Sequence, residues 1–139
     1  VFAQLKSELP KHSLKLKLSS KGSMYHQYIQ LTQELKIQED VEFVTELNFD
    51  KVPDFYNSLD IAVFPSLSES FGVTALEALS CGRPVVANDI DGLQEILKTC
   101  QYSEGLVDTT QSQLFANKLK KIILELFTKL NTKYFYLNN

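Results

Sequence analysis

Glu69 and Glu77 are the side chains whose type and surroundings point to chemistry. They sit in the run Asp60–Asp89, which reads DIAVFPSLSESFGVTALEALSCGRPVVAND. Between Phe71 and Cys81, Glu77 is the only charged residue, eight positions after Glu69. The apolar string around it is expected to form a helix over Phe71–Ser80, buried on most sides. An ionised carboxylate without partners is expensive there. A lone acid in that setting is a candidate ligand-binding group. A carboxylate suits the paired hydroxyls of a ribose, as in dinucleotide-binding folds. Glu69, just ahead of the helix, is placed to accept hydrogen bonds from sugar hydroxyls. By helix geometry Glu77 lies about two turns along, roughly 8–12 Å farther on. That separation fits two ends of an extended ligand.

Two acids eight apart are a weak signal alone, so the elements that hold them matter. Apolar runs at Ile61–Phe64 and Pro84–Ala87 read as strands flanking the helix. In an open parallel sheet, ligands sit beyond the carboxyl ends of the strands, where helix N-termini also point. The first of these strands ends at Pro65-Ser66, and Leu67–Ser70 leads to Phe71-Gly72. Open backbone N–H groups and the helix dipole favour an anion at such a start. Gly72 has no Cβ to hold a phosphate away.

Around this unit, Val1–Leu9 reads as a helix stopped by Pro10. Leu14, Leu16 and Leu18 alternate with Lys15 and Lys17 as a half-buried strand. Those lysines predict a strand at a sheet edge, or beside something missing. A helix is expected over Met24–Leu35, a strand at Val41–Val44, and a short helix from Pro53 to Ser58. A helix near Leu93–Lys98 and a strand at Gly105–Val107 follow. Thr110 and Gln113 form a candidate capping box for a last helix carrying Phe115, Leu119, Ile122, Ile123, Leu126 and Leu130. The tail Lys133–Asn139 is read either as a frayed end or as packing across a neighbouring domain. Alternating strands and helices predict an α/β fold, a parallel sheet with helices on both faces.

At 139 residues, 44% hydrophobic and 22% charged, the chain suits one soluble globular domain. A net charge of −3 argues against a phosphate-tracking nucleic-acid binder. Cys81 and Cys100 are expected as reduced thiols, with no metal-ligand spacing. No run reaches transmembrane length and no signal-peptide pattern opens the chain. The opening Val-Phe-Ala-Gln-Leu, without Met, is read as part of something longer.

The string P-S-x3-E-S-F-G-x4-E-A-x2-C-G-x-P-V-V-A resembles the donor-binding domain of retaining glycosyltransferases with the two-domain GT-B fold. The likeness is to the glycosyl transferases group 1, or family 4, type, and extends from about Leu14 to Leu126, including Asp54–Asp60 and Asp91–Ile96. It implies a Rossmann-like three-layer fold, the C-terminal half of GT-B. Residues 1–130 would be the donor-binding domain, lacking its first strand, with 131–139 a tail. The implied reaction moves a sugar from a UDP- or GDP-sugar to an acceptor with retained anomeric configuration, in glycan or cell-envelope polysaccharide synthesis. No cofactor or metal is implied. Glu69 matches the acid that contacts donor-sugar hydroxyls and is the catalytic candidate. Ser70, Phe71, Gly72 and Val73 match the stretch whose main-chain N–H groups meet sugar and diphosphate. Glu77 matches the ribose-binding acid.

The resemblance has departures. Ser19–Ser23 stands where the family has a glycine-rich turn, and Thr45 stands where it often has glycine near the nucleobase. The basic pair that neutralises the diphosphate falls upstream of residue 1. Lys21 and Arg83 are the nearest basic candidates, and a solvated-surface role is favoured for both. The acceptor-binding domain is likewise outside the chain, so the chain alone is expected to be inactive. A cytoplasmic location is implied; peripheral association with the inner face of the membrane is left open, because the family's membrane-binding surfaces lie mostly on the missing domain. The alternative is a non-catalytic partner subunit that only binds nucleotide sugar; the retained acids count against it. A nucleotide-sugar epimerase fits poorly with E-S-F-G.

Overall fold

The computed structural model describes residues 1–19, 23–101, 103–129 and 134–138. Its centre is set by two strands that are apolar on both faces, β3 (Ile61–Phe64) and β4 (Val85–Asn88), all eight residues buried. They lie in a six-stranded sheet with β1 (Lys15–Ser19), β2 (Val41–Val44), β5 (Leu106–Val107) and β6 (Tyr134–Asn138). The order is β2-β1-β6-β3-β4-β5, and every pairing is parallel. Helices α1 (Phe2–Glu8), α2 (Tyr25–Glu34), α3 (Val52–Asn57), α4 (Val73–Ser80), α5 (Asp91–Thr99) and α6 (Ser112–Lys129) intervene.

Strand side chains alternate between faces, which splits the core in two. Ala62, Phe64, Val85 and Ala87 meet Phe55, Tyr56, Ala75, Ala78, Leu93 and Leu97 from α3, α4 and α5. Ile61, Val63 and Val86 meet Leu5, Phe115, Leu119 and Ile123 from α1 and α6. Helices on both faces of a parallel sheet make the expected α/β, Rossmann-like, three-layer architecture. Replacing Ile123, 0% exposed, by Ala should cost about 2–5 kcal/mol. Urea unfolding would read this as a lower midpoint at unchanged slope. A loss below about 0.5 kcal/mol would place Ile123 outside the core.

Three expectations about the periphery change. β1 is not an edge strand: it is paired to β2 on one side and β6 on the other. Its lysines are tolerated because their ammonium groups find acids beside the sheet. Lys15 Nζ lies 2.9 Å from Asp40 Oδ1, and Lys17 Nζ lies 3.6 Å from Glu42 Oε2. Residues 134–138 are neither frayed nor laid across another domain; they form β6 between β1 and β3. The Tyr-Phe-Tyr sequence favours a strand. Thr110 and Gln113 form no capping box. The carboxylate of Asp108 accepts from the Thr110 N–H and hydroxyl and from Gln111 Nε2, turning the chain into α6. Gln113 instead donates along the helix to Asn117. Asp108 is a side-chain acceptor two residues ahead, which competes well for a turn.

Hydrogen bonds from Lys6, then Lys15, hold the Asp40 carboxyl below the usual carboxylate range. Because the folded pKa lies below the unfolded one, the stabilisation is present above about pH 4 and is lost as pH falls through the folded value. The stability gap between wild type and Asp40→Asn should therefore be larger at neutral pH than in acid. The pair is partly exposed, so the gap should stay within about 1 kcal/mol. A gap independent of pH would contradict the assignment.

Candidate active site

The order of strands reverses direction after β2: β1 and β2 build outward on one side, while β3, β4 and β5 build outward on the other. A crevice forms at such a switch point, beyond the carboxyl ends of the strands. The loop that leaves β3 there carries Glu69, Ser70, Phe71 and Gly72. Five of the six predicted site residues thus stand at that end of the sheet, on the loop and at the start of α4, while Glu77 lies farther along α4.

α4 begins at Val73, not Phe71. Gly72 is its N-cap, at φ 62° and ψ 31°, a left-handed conformation that side chains with a Cβ rarely adopt. This turn explains why the apolar string overreached: Phe71 lies before it, 69% exposed. The eight-residue interval is therefore not a helical repeat. Glu77 lies four residues into α4, about 6 Å along its axis by helical rise, and Glu69 stands on non-helical chain. No side chain caps this end of α4. The first backbone N–H groups of a helix lack intrahelical partners. Here they open beyond the sheet. The side of Gly72 that lacks a Cβ faces α5 instead, where a Cβ would stand 3.2 Å from the Gly92 carbonyl oxygen and from Leu93 Cδ2, so the missing Cβ makes room for α5 rather than for a phosphate.

Nor is α4 buried on most sides. Ala75 and Ala78 face the core, while Val73 and Leu76 are exposed. With Phe49, Val52, Pro53, Glu77 and Cys81 they line an apolar groove of about 330 Å³. Glu77 is half-buried on its wall, and the buried Tyr56 hydroxyl donates to Glu77 Oε2 at 3.4 Å. Glu77 is thus partnered rather than isolated, with Tyr56 setting its orientation. Glu69 is half-buried, while Ser70, Phe71 and Val73 are exposed.

The loop is fixed from beneath. Asn88, 4% exposed at the end of β4, donates from Nδ2 to the Ser66 carbonyl at 3.0 Å. Its Oδ1 accepts the N–H groups of Asp89 at 3.1 Å and Thr109 at 3.0 Å. Gly92, in the first turn of α5, is buried against the loop. A Cβ there would stand 2.3 Å from the Glu69 carbonyl oxygen. Sequence reasoning assigned no role to Tyr56, Asn88 or Gly92. An amide ending an apolar strand and a glycine inside a helix were the available signals.

Arg83 is neither a solvated side chain nor a phosphate ligand. It is half-buried, with Nη1 donating to the Leu59 carbonyl at 2.8 Å and Nε to Cys81 at 3.1 Å. It precedes β4, so it stands at the opposite end of the sheet from the loop. Lys21 lies outside the described residues, as do Ser20 and Gly22 of the expected turn. Thr45 is exposed after β2. Among the described residues, no cluster of three or more His, Cys, Asp or Glu side chains could hold a metal ion. No helix among them is long and apolar enough to cross a membrane.

Comparison with known proteins defines the class. The family model for glycosyl transferases group 1 matches residues 1–133. The chain belongs to this family. It is 38% identical over 90 residues to an uncharacterized glycosyltransferase of Methanocaldococcus jannaschii, covering 65% of this chain and 23% of that protein. It is 36% identical over 95 residues to a D-inositol 3-phosphate glycosyltransferase of Salinispora arenicola, covering 68% and 21%. Sucrose-phosphate synthase from Thermosynechococcus elongatus superposes with a TM-score of 0.63 at 21% identity, over 91% of this chain and 39% of that one. The fold is accordingly a Rossmann-like half of a GT-B glycosyltransferase. The chain spans about a fifth of the length of these curated relatives.

Proposed function

We propose that this chain is the donor-binding part of a retaining glycosyltransferase, taking a UDP- or GDP-sugar as substrate. The observation that carries the reading is the open start of α4. Gly72, left-handed and packed on α5, leads to uncapped N–H groups, with one acid ahead of it on the loop and one farther along the helix. Such a start favours the diphosphate. Glu69 then reaches the sugar hydroxyls and Glu77 the ribose. Ser70, Phe71 and Val73 contribute main-chain groups around the phosphates and sugar.

In the transfer, the bond between the anomeric carbon and the diphosphate oxygen breaks, and its electron pair leaves with the nucleoside diphosphate. The acceptor oxygen bonds to the anomeric carbon on the same face and gives up its proton to the departing diphosphate oxygen. Charge grows on the leaving diphosphate, where fixed N–H dipoles stabilise it without reorganising. That chemistry requires neither cofactor nor metal. The acceptor would be held by a separate domain of the whole protein, whose closure excludes water. This reading suits cytoplasmic glycan or cell-envelope polysaccharide synthesis, with any membrane contact through that other domain.

Titration with UDP and with GDP, followed through backbone amide shifts, tests the reading. Saturable changes should concentrate on Gly72–Ala75 and Glu77 for at least one nucleotide. Saturable changes confined to another face, or none with either nucleotide, would defeat it.

A further inference from the structure

We infer that Gly92 and Asn88 are positioning residues that hold the Ser66–Gly72 loop in the shape the donor needs. The inference rests on the donor-binding reading and assigns that site two supports which touch no substrate. Gly92 lies in a helix, where alanine is intrinsically favoured. Its backbone does not require glycine, because its φ is not positive. What requires glycine is the neighbour: a Cβ would stand 2.3 Å from the Glu69 carbonyl oxygen, 3.0 Å from the Glu69 carbonyl carbon and 3.1 Å from that of Ser70. Those atoms are backbone, so they cannot swing aside as a side chain would. Either the loop or α5 must move.

The contact is reciprocal. A Cβ on Gly72 would stand 3.2 Å from the Gly92 carbonyl oxygen. The loop therefore lies against the start of α5 at both ends of the Glu69–Gly72 segment, and the two glycines set that distance. Asn88 fixes the other end of the loop. It holds Ser66 through its amide nitrogen while its oxygen binds Asp89 and Thr109. The Thr109 hydroxyl donates to the Pro65 carbonyl at 3.4 Å, on the same stretch. One side chain thus joins the ends of β3, β4 and β5. Buried and hydrogen-bonded through both amide atoms, Asn88 resists replacement by any residue with fewer donors and acceptors.

Gly92→Ala tests the inference in the full chain. Amide shifts of Glu69–Gly72 should move, and the unfolding midpoint should fall, because the atoms displaced are backbone. UDP or GDP, whichever the wild type binds, should bind at least tenfold more weakly. Affinity for the corresponding nucleoside alone, held at Glu77, should stay within about twofold. Asn88→Ser, which keeps an acceptor but loses reach to Ser66, should move Ser66 and Leu67 and weaken the diphosphate in the same selective way. It also serves should Gly92→Ala fail to fold. Unmoved loop amides, or moved amides with unchanged diphosphate affinity, would overturn the positioning role. Equal loss of nucleoside and diphosphate would mark a general structural defect and overturn it too. Failure of the wild type to bind either nucleotide would defeat the donor reading instead, and the loop shifts alone would then decide whether Gly92 sets the loop.

Discussion

Glu69→Ala, made in the whole protein, should lower glycosyl transfer by about a hundredfold or more while leaving the nucleotide bound. Glu69 stands on the loop before α4, not on the helix, so its carboxylate is carried by the backbone that Gly92 and Asn88 fix. A carboxylate holding sugar hydroxyls makes charge-assisted hydrogen bonds, individually worth about 1.5–3 kcal/mol. Where they tighten as the anomeric bond breaks, their loss falls on turnover rather than on donor affinity. Steady-state kinetics should show kcat falling with little change in KM for the donor. Nucleoside diphosphate, which lacks the sugar, should bind the variant within about threefold of wild type. Unchanged turnover would remove Glu69 from the donor site.

Glu77→Ala should act on a different part of the ligand. Its carboxylate sits on α4 at the wall of the apolar groove and accepts from Tyr56. Losing its hold on the ribose hydroxyls should weaken nucleoside diphosphate about ten- to a hundredfold, the range for one hydrogen bond to a charged group. Tyr56→Phe keeps the ring in the core and removes the hydroxyl donor. It should weaken binding by only a few fold, because the carboxylate remains but is less firmly aimed. Calorimetry on the three proteins separates the effects. An equal loss for Tyr56→Phe and Glu77→Ala would mean that Tyr56 itself holds the ligand.

The parts of the fold dominated by burial were legible in the sequence. Ile61–Phe64 and the Val85–Ala87 run are apolar on both faces, and that pattern fits a central parallel strand. Periodicity likewise located α2 and α6 to within a few residues. The misreadings came where polar or backbone detail decides. Phe71 continues the apolar string of α4, yet the positive φ at Gly72 turns it into solvent. Lys15 and Lys17 looked like an edge, because Asp40 and Glu42 are neighbours only after folding. Arg83 looked like a surface cation, although the distant Leu59 carbonyl and the nearby Cys81 carbonyl claim it.

The candidate site divides in the same way. Glu69, Gly72 and Glu77 belong to one contiguous string, so their types and order could be read directly. Their supports come from elsewhere in the chain: Tyr56 from α3, Asn88 from β4 and Gly92 from α5. Such contacts are tertiary, and no local pattern announces them.

The central claim is that Glu77 holds the ribose beside a diphosphate bound at the start of α4. A double-mutant cycle tests it most directly, pairing Glu77→Ala with 2′-deoxyribose forms of whichever nucleoside diphosphate binds. In the wild type, removing the 2′-hydroxyl should weaken binding about tenfold, the value of one good hydrogen bond. In Glu77→Ala the same removal should cost almost nothing, because the acceptor is already gone. An identical deoxyribose penalty in both proteins, or none in either, would contradict the account.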